Sequence, residues 1–226
     1  MNRNIFKLLF YIVSITISNI YVKAQDADSI KVRQTIFDDN FSKYAIGRFP
    51  ANWISNRPGE VVSQKNLPGK WFKMHAEGTY LPQLKQDFPK NFTIEFDFIH
   101  QAIGNGNNTT EFTIFNKPEN SLNDALFPGS SGVKIIFETF IVSCLCYDNL
   151  NPKVKPSGEY RSKIIQTNNI VKVSIKVDDQ LLRVFVNGFE CLHTPKCNGN
   201  SEIFNAVRFY LWGSQAEPMI SNFRIY

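Results

Sequence analysis

The chain predicts an all-β fold, a two-sheet antiparallel β-sandwich of the jelly-roll kind, and three observations carry that expectation. From Ile170 to His193 it reads IVKVSIKVDDQLLRVFVNGFECLH, with Val171, Val173, Ile175 and Val177 alternating with Lys172, Ser174, Lys176 and Asp178. A period of two puts one face of a strand in a core and the other in water. No run of ten or more residues has a helical period, and no internal repeat is visible. About a dozen short runs of strand type are separated by Gly and Pro, the punctuation of a sandwich rather than of alternating strands and helices.

The first segment is an address rather than a fold element. Arg3 and Lys7 precede a mostly apolar run from Leu8 to Ile20, and Val22-Lys23-Ala24 stands before Gln25. A basic start, a short apolar centre and a small residue at the cut describe a secretory signal peptide over residues 1–24. Ser14, Thr16, Ser18 and Asn19 interrupt the run, which is short of the ~20 apolar residues of a spanning helix, so no membrane span is expected after cleavage. No cysteine lies near the cut, which argues against a lipid-modified N-terminus. Residues 25–34 are polar and aperiodic and read as a flexible lead-in, and 35–226 as a single domain.

Within that domain Thr35 to Phe37 is the first expected strand, followed by a Gly47 to Trp53 segment in which Pro50 forbids regular helix. Glu60 to Gln64 and Trp71 to Ala76 flank Asn66-Leu67-Pro68-Gly69 and form a hairpin. Thr79 to Leu84 is a short strand. In FTIEFDFIH, Ile94, Phe96, Phe98 and His100 share one face, with Glu95, Asp97 and Ile99 on the other. A loop from Ile103 to Thr109 leads to a strand at Glu111 to Phe115, and GVKIIFETFIVSCLCY is long enough for two paired strands. Pro152, Pro156 and Gly158 mark a loop. In the following meander Asn187-Gly188 suits a type I′ turn, which would set Val186 against Phe189, Phe185 against Glu190 and Val184 against Cys191. Val184, Val186, Phe189 and Cys191 are then expected on one buried face. Val207 to Trp212 and Ile220 to Tyr226 complete the strands.

Charge excludes some partners. The whole chain carries +5, but residues 1–24 hold three basic and no acidic residues, leaving 22 basic against 20 acidic, or +2. A nearly neutral domain has no electrostatic reason to bind nucleic acid or an anionic membrane. Cys144, Cys146, Cys191 and Cys197 would enter an oxidising compartment, where four cysteines allow three full pairings. Cys191 and Cys197 flank His193-Thr194-Pro195-Lys196 and could close it. Cys144 and Cys146 point to one strand face, and buried free thiols are the alternative. The spacing does not suit zinc.

The blocks IFDDNFSKYAIGRFPANW, FTIEFDF, VSIKVDDQLLRVFVNG and ISNFRIY together resemble the concanavalin A-like lectin/glucanase (LamG-like) fold. More narrowly, they resemble the domain that precedes the OmpA-type peptidoglycan-binding domain in certain Bacteroidetes outer-membrane proteins. The likeness spans most of 35–226, and its most specific part is Gly47, Phe49, Pro50 and Trp53, a structural cluster. Residues 1–226 contain no OmpA-type segment, so attachment to peptidoglycan is not expected. Asp28-Ser29-Ile30 is similar to the O-glycosylation signal of exported Bacteroidetes proteins. The resemblance implies an exported protein of the periplasm, outer membrane or cell exterior.

Glu95-Phe96-Asp97 resembles the start of the E-x-D-x-x-E signature of laminarinase-like glycosidases, and spacing by two places both carboxylates on one face, as paired acid/base chemistry requires. The third acid is replaced by His100, which alternation puts on the other face. Asp38, Asp39 and Asn40 offer oxygens to a Ca²⁺ ion but match no EF-hand, and turn capping is their alternative role. Sugar binding calls for aromatic faces beside amides and carboxylates. The candidates are Trp71, Lys73 and His75 on one strand face, Glu95, Asp97 and Trp212, with Tyr80, Tyr160 and Tyr210 as further aromatics. The expectation is a non-enzymatic lectin-like module for glycan or a cell-envelope partner. A glycosidase using Glu95 and Asp97, and a structural adaptor, are the alternatives.

Overall fold

Fifteen strands and no helix are formed by the residues described in this computed structural model, namely 34–100, 109–116, 122, 132–148, 151–161, 165, 169–197, 204–213 and 217–226. In chain order they are β1 (Phe37–Asp39), β2 (Trp53–Ser55), β3 (Gly59–Val62), β4 (Trp71–Met74), β5 (Thr79–Pro82), β6 (Asn91–Ile99), β7 (Thr109–Phe115) and β8 (Gly132–Glu138). There follow β9 (Ile141–Asp148), β10 (Asn151–Arg161), β11 (Ile170–Asp178), β12 (Leu181–Val186), β13 (Phe189–Thr194), β14 (Ala206–Trp212) and β15 (Met219–Ile225). The first sheet has the order β13-β12-β11-β6-β15-β4-β3, with β1 also paired to β15; the second has β10-β9-β8-β7-β14-β5-β2. Every pairing is antiparallel.

The alternation read from sequence decides which faces meet. Ile94, Phe96 and Phe98 of β6, Val171, Val173, Ile175 and Val177 of β11, and Leu182, Val184 and Val186 of β12 are all buried, and so are Phe112, Ile114, Val133, Ile135, Phe137, Val207 and Phe209 of the second sheet. The sheets join through rings: Phe96 lies 5.4 Å from both Phe112 and Phe209, and Trp53 lies 5.3 Å from Phe223 and 5.4 Å from Phe72. Burying one Phe or Trp contributes ~2–3 kcal/mol, so this layer outweighs any single polar contact. Trp53 also donates through Nε1 to Asp39 Oδ2 at 3.3 Å. The Gly47-to-Trp53 cluster is thus a structural plug. Gly47 has φ +78°, and its N–H reaches the Val61 carbonyl.

Several expectations are corrected. The first strand is Phe37–Asp39 rather than Thr35 to Phe37, placed by pairing with Phe223, Arg224 and Ile225 of β15. Residues 151–161 form a strand, not a loop. As the outer strand of the second sheet, β10 has one edge unpaired, where a proline without an N–H costs no ladder bond, and register shifts beside Lys155 and Gly158 absorb the irregularity. The Asn187-Gly188 turn forms with φ of +52° and +80°. Val186 faces Phe189 and Phe185 faces Glu190, but the register then shifts, so that Val184 faces Leu192 and not Cys191. Cys191 is buried all the same, whereas Phe189, at the start of an edge strand, is 51% exposed and leans on Tyr160. The expected signal peptide at 1–24, the lead-in up to residue 33, the loop through Gly104 to Asn108 and the stretch holding Pro118 and Pro128 lie outside the described residues.

Candidate functional site

The outer face of the first sheet carries its polar residues in rows, because antiparallel pairing sets the outward side chains of neighbouring strands directly opposite one another. In one row Ser221 of β15, Asp97 of β6 and Lys172 of β11 are paired. In the next, Arg224, Glu95, Ser174, Phe185 and Glu190 run across β15, β6, β11, β12 and β13. In a third, Thr93, Lys176, Arg183 and His193 follow one another. Along each strand the rows are two residues, or ~6.6 Å, apart. A groove of about 590 Å³ opens over this face, lined among others by Glu95, Asp97, Lys172, Ser174, Lys176, Phe185, Asn222 and Arg224.

The two carboxylates in the groove are held in place by its other side chains. The β15–β6 register shifts between Ser221 and Arg224, and Asn222 in that bulge has φ +50°, the left-handed region that asparagine tolerates better than most residues. From there its Nδ2 donates to Asp97 Oδ2 at 2.7 Å. Ser174 Oγ donates to Glu95 Oε1 at 3.4 Å, and Arg224 pairs with Asp38 at 3.5 Å. Lys176 Nζ stands 4.9 Å from the centre of the Phe185 ring. Carboxylate oxygens, an amide, a hydroxyl, ammonium groups and one aromatic ring therefore line a single cleft, each able to meet a hydroxyl-rich ligand.

Of the sequence-derived ligand residues, Glu95 and Asp97 line the groove. Trp71 does lie on the outer face, but the β3–β4 turn covers it: its Nε1 donates to the Pro68 carbonyl and it packs with Ile99 and Met219, so it is 1% exposed. Lys73 pairs with Glu217 at 2.7 Å, and His75 approaches the same carboxylate at 3.5 Å. Trp212 is exposed, but on β14 of the other sheet, edge-on to Tyr210. In the same sheet Glu111 of β7 and Lys134 of β8 form a buried pair at 2.6 Å; burial raises the Glu111 pKa and the ammonium opposes the rise. His100 is sealed inside, 1% exposed, against Phe98. No register shift interrupts the β6–β11 pairing, so His100 stays on the core face, opposite to Glu95 and Asp97.

Within the Asp38, Asp39 and Asn40 triplet, Asp39 and Asn40 cap the following turn. Asp39 is buried and accepts from Phe41 N at 3.1 Å, Tyr44 Oη at 2.9 Å and Trp53 Nε1. Asn40 Oδ1 accepts from Ser42 N, and Asp38 points outward to Arg224. Strand alternation separates the two aspartates, so their oxygens do not converge. The cysteines are corrected too: Cys146 pairs with Cys197, not Cys191 with Cys197, and Cys144 and Cys191 are free and buried. As expected of neighbours on one strand face, Cys144 Sγ is 3.9 Å from Cys146 Sγ, and it lies 3.7 Å from Cys197 Sγ. The three sulfurs lie within 4.8 Å of one another, a gathering that chain spacing did not disclose, though two of them are spent in the disulfide. Burial pushes the Cys144 thiol up to about 12.

Comparison with solved structures bears on the fold. The carbohydrate recognition domain of Emp47p superposes with a TM-score of 0.62 at 13% identity, over 85% of this chain and 94% of that one. The potassium-bound carbohydrate recognition domain of Emp46p gives 0.60 at 14% identity, over 85% and 95%. Carbohydrate-binding module CBM66 from Bacillus subtilis gives 0.52 at 13% identity, over 77% and 94%. These likenesses establish the concanavalin A-like jelly-roll sandwich that the sequence blocks resemble. No protein-family model matches the chain. No curated protein matches it.

Proposed function

We propose that this chain is an exported, non-enzymatic glycan-binding module whose ligand lies in the groove over β15, β6, β11 and β12. The observation that carries the reading is the pair Glu95 and Asp97, side by side on β6 and supported by Ser174 and by Asn222 from a left-handed bulge, at the floor of a 590 Å³ cleft. Bulges that aim a side chain are over-represented beside binding sites. Two carboxylates already held by neighbouring donors keep free lone pairs for sugar hydroxyls, and Phe185 offers an apolar surface for a ring face. A fold shared with carbohydrate recognition domains supports the reading. The leader-like residues 1–24 support export, and among the described residues no helix is long and apolar enough to cross a membrane.

A glycan array followed by calorimetry on the protein lacking residues 1–24 tests it. The expected result is binding to at least one polysaccharide, lost by a factor of ~10 or more in each of Glu95→Gln and Asp97→Asn, as removal of a charge-assisted hydrogen bond implies. Both variants should melt within a few degrees of the parent, since the two side chains lie outside the core. Failure to bind any polysaccharide or peptidoglycan fragment, or binding that survives the double substitution, would remove the proposal.

A further inference from the structure

We infer that the groove takes an acidic sugar, with the ligand's carboxylate seated on Lys176, which lines the groove, and on Arg183, its cross-strand neighbour beside the groove; this rests on the glycan reading above and narrows it. Lys176 and Arg183 stand directly opposite one another across β11 and β12. Like charges in that position destabilise a sheet. Their remaining neighbours along the row, Thr93 and His193, bring no negative charge, and the nearby Glu190 is 2.8 Å from His193 Nδ1. Neither Lys176 nor Arg183 is ion-paired among the described residues, and the Arg183 Nε is buried without a hydrogen-bond partner. A buried guanidinium nitrogen left unsatisfied beside a second cation is a cost that folding alone does not explain.

An anion at this row removes both penalties at once. A planar carboxylate offers two oxygens to a guanidinium and can still accept from an ammonium. Lys172 adds to the bias. It faces Asp97, but Asp97 Oδ2 already accepts from Asn222, and Lys172 makes no ion pair among the described residues. The acids of the groove lie one and two rows away at Glu95 and Asp97, so a sugar ring laid along the strands would set its carboxylate on the cationic row and its far hydroxyls against those acids. The ligand class is a uronate-containing glycan, bound reversibly and without covalent chemistry.

The test compares two polymers of one backbone, polygalacturonate and its fully methyl-esterified form, by calorimetry at 0.05 and about 0.15 M NaCl. Polygalacturonate should bind at least ~10-fold more tightly than the ester, and Lys176→Gln and Arg183→Gln should each remove most of that difference, a loss of ~10-fold. Lys65→Gln, on the exposed β3–β4 turn, should leave it unchanged. Without ligand, Lys176→Gln should melt a degree or two higher, because it relieves the cross-strand repulsion. Equal binding of the two polymers, insensitivity to both row substitutions, or a lowered melting point in Lys176→Gln would overturn the inference. If neutral glycans bind through Glu95 and Asp97 while polygalacturonate does not, the inference falls and the glycan reading stands; if no glycan binds, both fall.

Discussion

Acid should unfold this protein through His100 before it titrates most of its surface. The imidazole ends the core face of β6, 1% exposed, with Phe98 beside it and no partner for either ring nitrogen among the described residues. Burial lowers its pKa from the usual 6.5 to about 4. The unfolded chain therefore takes up a proton as the pH drops through 6.5, whereas the folded chain resists until about 4. Stability is complete above 6.5, declines through that window and levels off below it. The separation of the two pKa values, at ~1.4 kcal/mol per tenfold, amounts to ~3.5 kcal/mol, of which ~3 kcal/mol is lost by pH 4, a large share of the 5–15 kcal/mol typical of a domain. Carboxylates titrate over part of the same range, so the measurement is a difference: urea unfolding of the parent and of His100→Leu at pH 7.5, 6.0, 5.0 and about 4.0. Their common titrations cancel, leaving the histidine. At pH 7.5 the leucine variant should be at least as stable, since it removes two unsatisfied nitrogens, and its advantage should widen by ~3 kcal/mol by pH 4. A difference that stays flat with pH, or an imidazole titrating near 6.5 in the folded protein, would refute the assignment.

Two further outcomes follow from other buried groups. Cys197→Ser should cost ~4 kcal/mol, the loop-closure value for a bridge spanning a sequence separation of 51, whereas Cys146→Ser should cost much less, because Cys144 Sγ already lies 3.7 Å from Cys197 and can take over the bridge. Peptide mapping should find a Cys144–Cys197 link in that variant; equal losses for the two substitutions would contradict the gathering of the three sulfurs. Asp39→Ala should destabilise by ~3 kcal/mol, since three donors lose their acceptor, while Asp38→Ala should change stability by under ~1 kcal/mol. Added Ca²⁺ should not raise the melting temperature, and a rise that Asp39→Ala abolishes would restore the cation reading.

What could be read in advance was local. Alternation in β6, β11 and β12 named the core-facing residues correctly, although Thr93 and Ile99 on the outer face of β6 are buried as well, and Asn187-Gly188 named its turn because few other pairs accept two positive φ values. Glu95 and Asp97 were visible for the same reason. Their partners were not: Ser174 is 79 residues from Glu95 and Asn222 is 125 from Asp97, and only the order β12-β11-β6-β15 makes them neighbours. Trp71 was ambiguous because both faces of β4 end up buried, one by the opposite sheet and one by its own turn. The prolines of β10 misled because a rule about central strands was applied to an edge.

The groove itself follows from one topological fact. Had β11 paired with any strand other than β6, Lys172, Ser174 and Lys176 would still alternate outward, but as an ordinary solvated face with no carboxylates opposite. Placed beside β6, the same three residues lie across from Asp97, Glu95 and Thr93 respectively, and β12 then adds Phe185 and Arg183 to the last two rows. Acids therefore concentrate on one side of the cleft and unpaired cations on the other. On the proposed reading, a ligand that carries hydroxyls at one end and a carboxylate at the other would complement that division, so the charge pattern would narrow the choice of sugar further than the fold does.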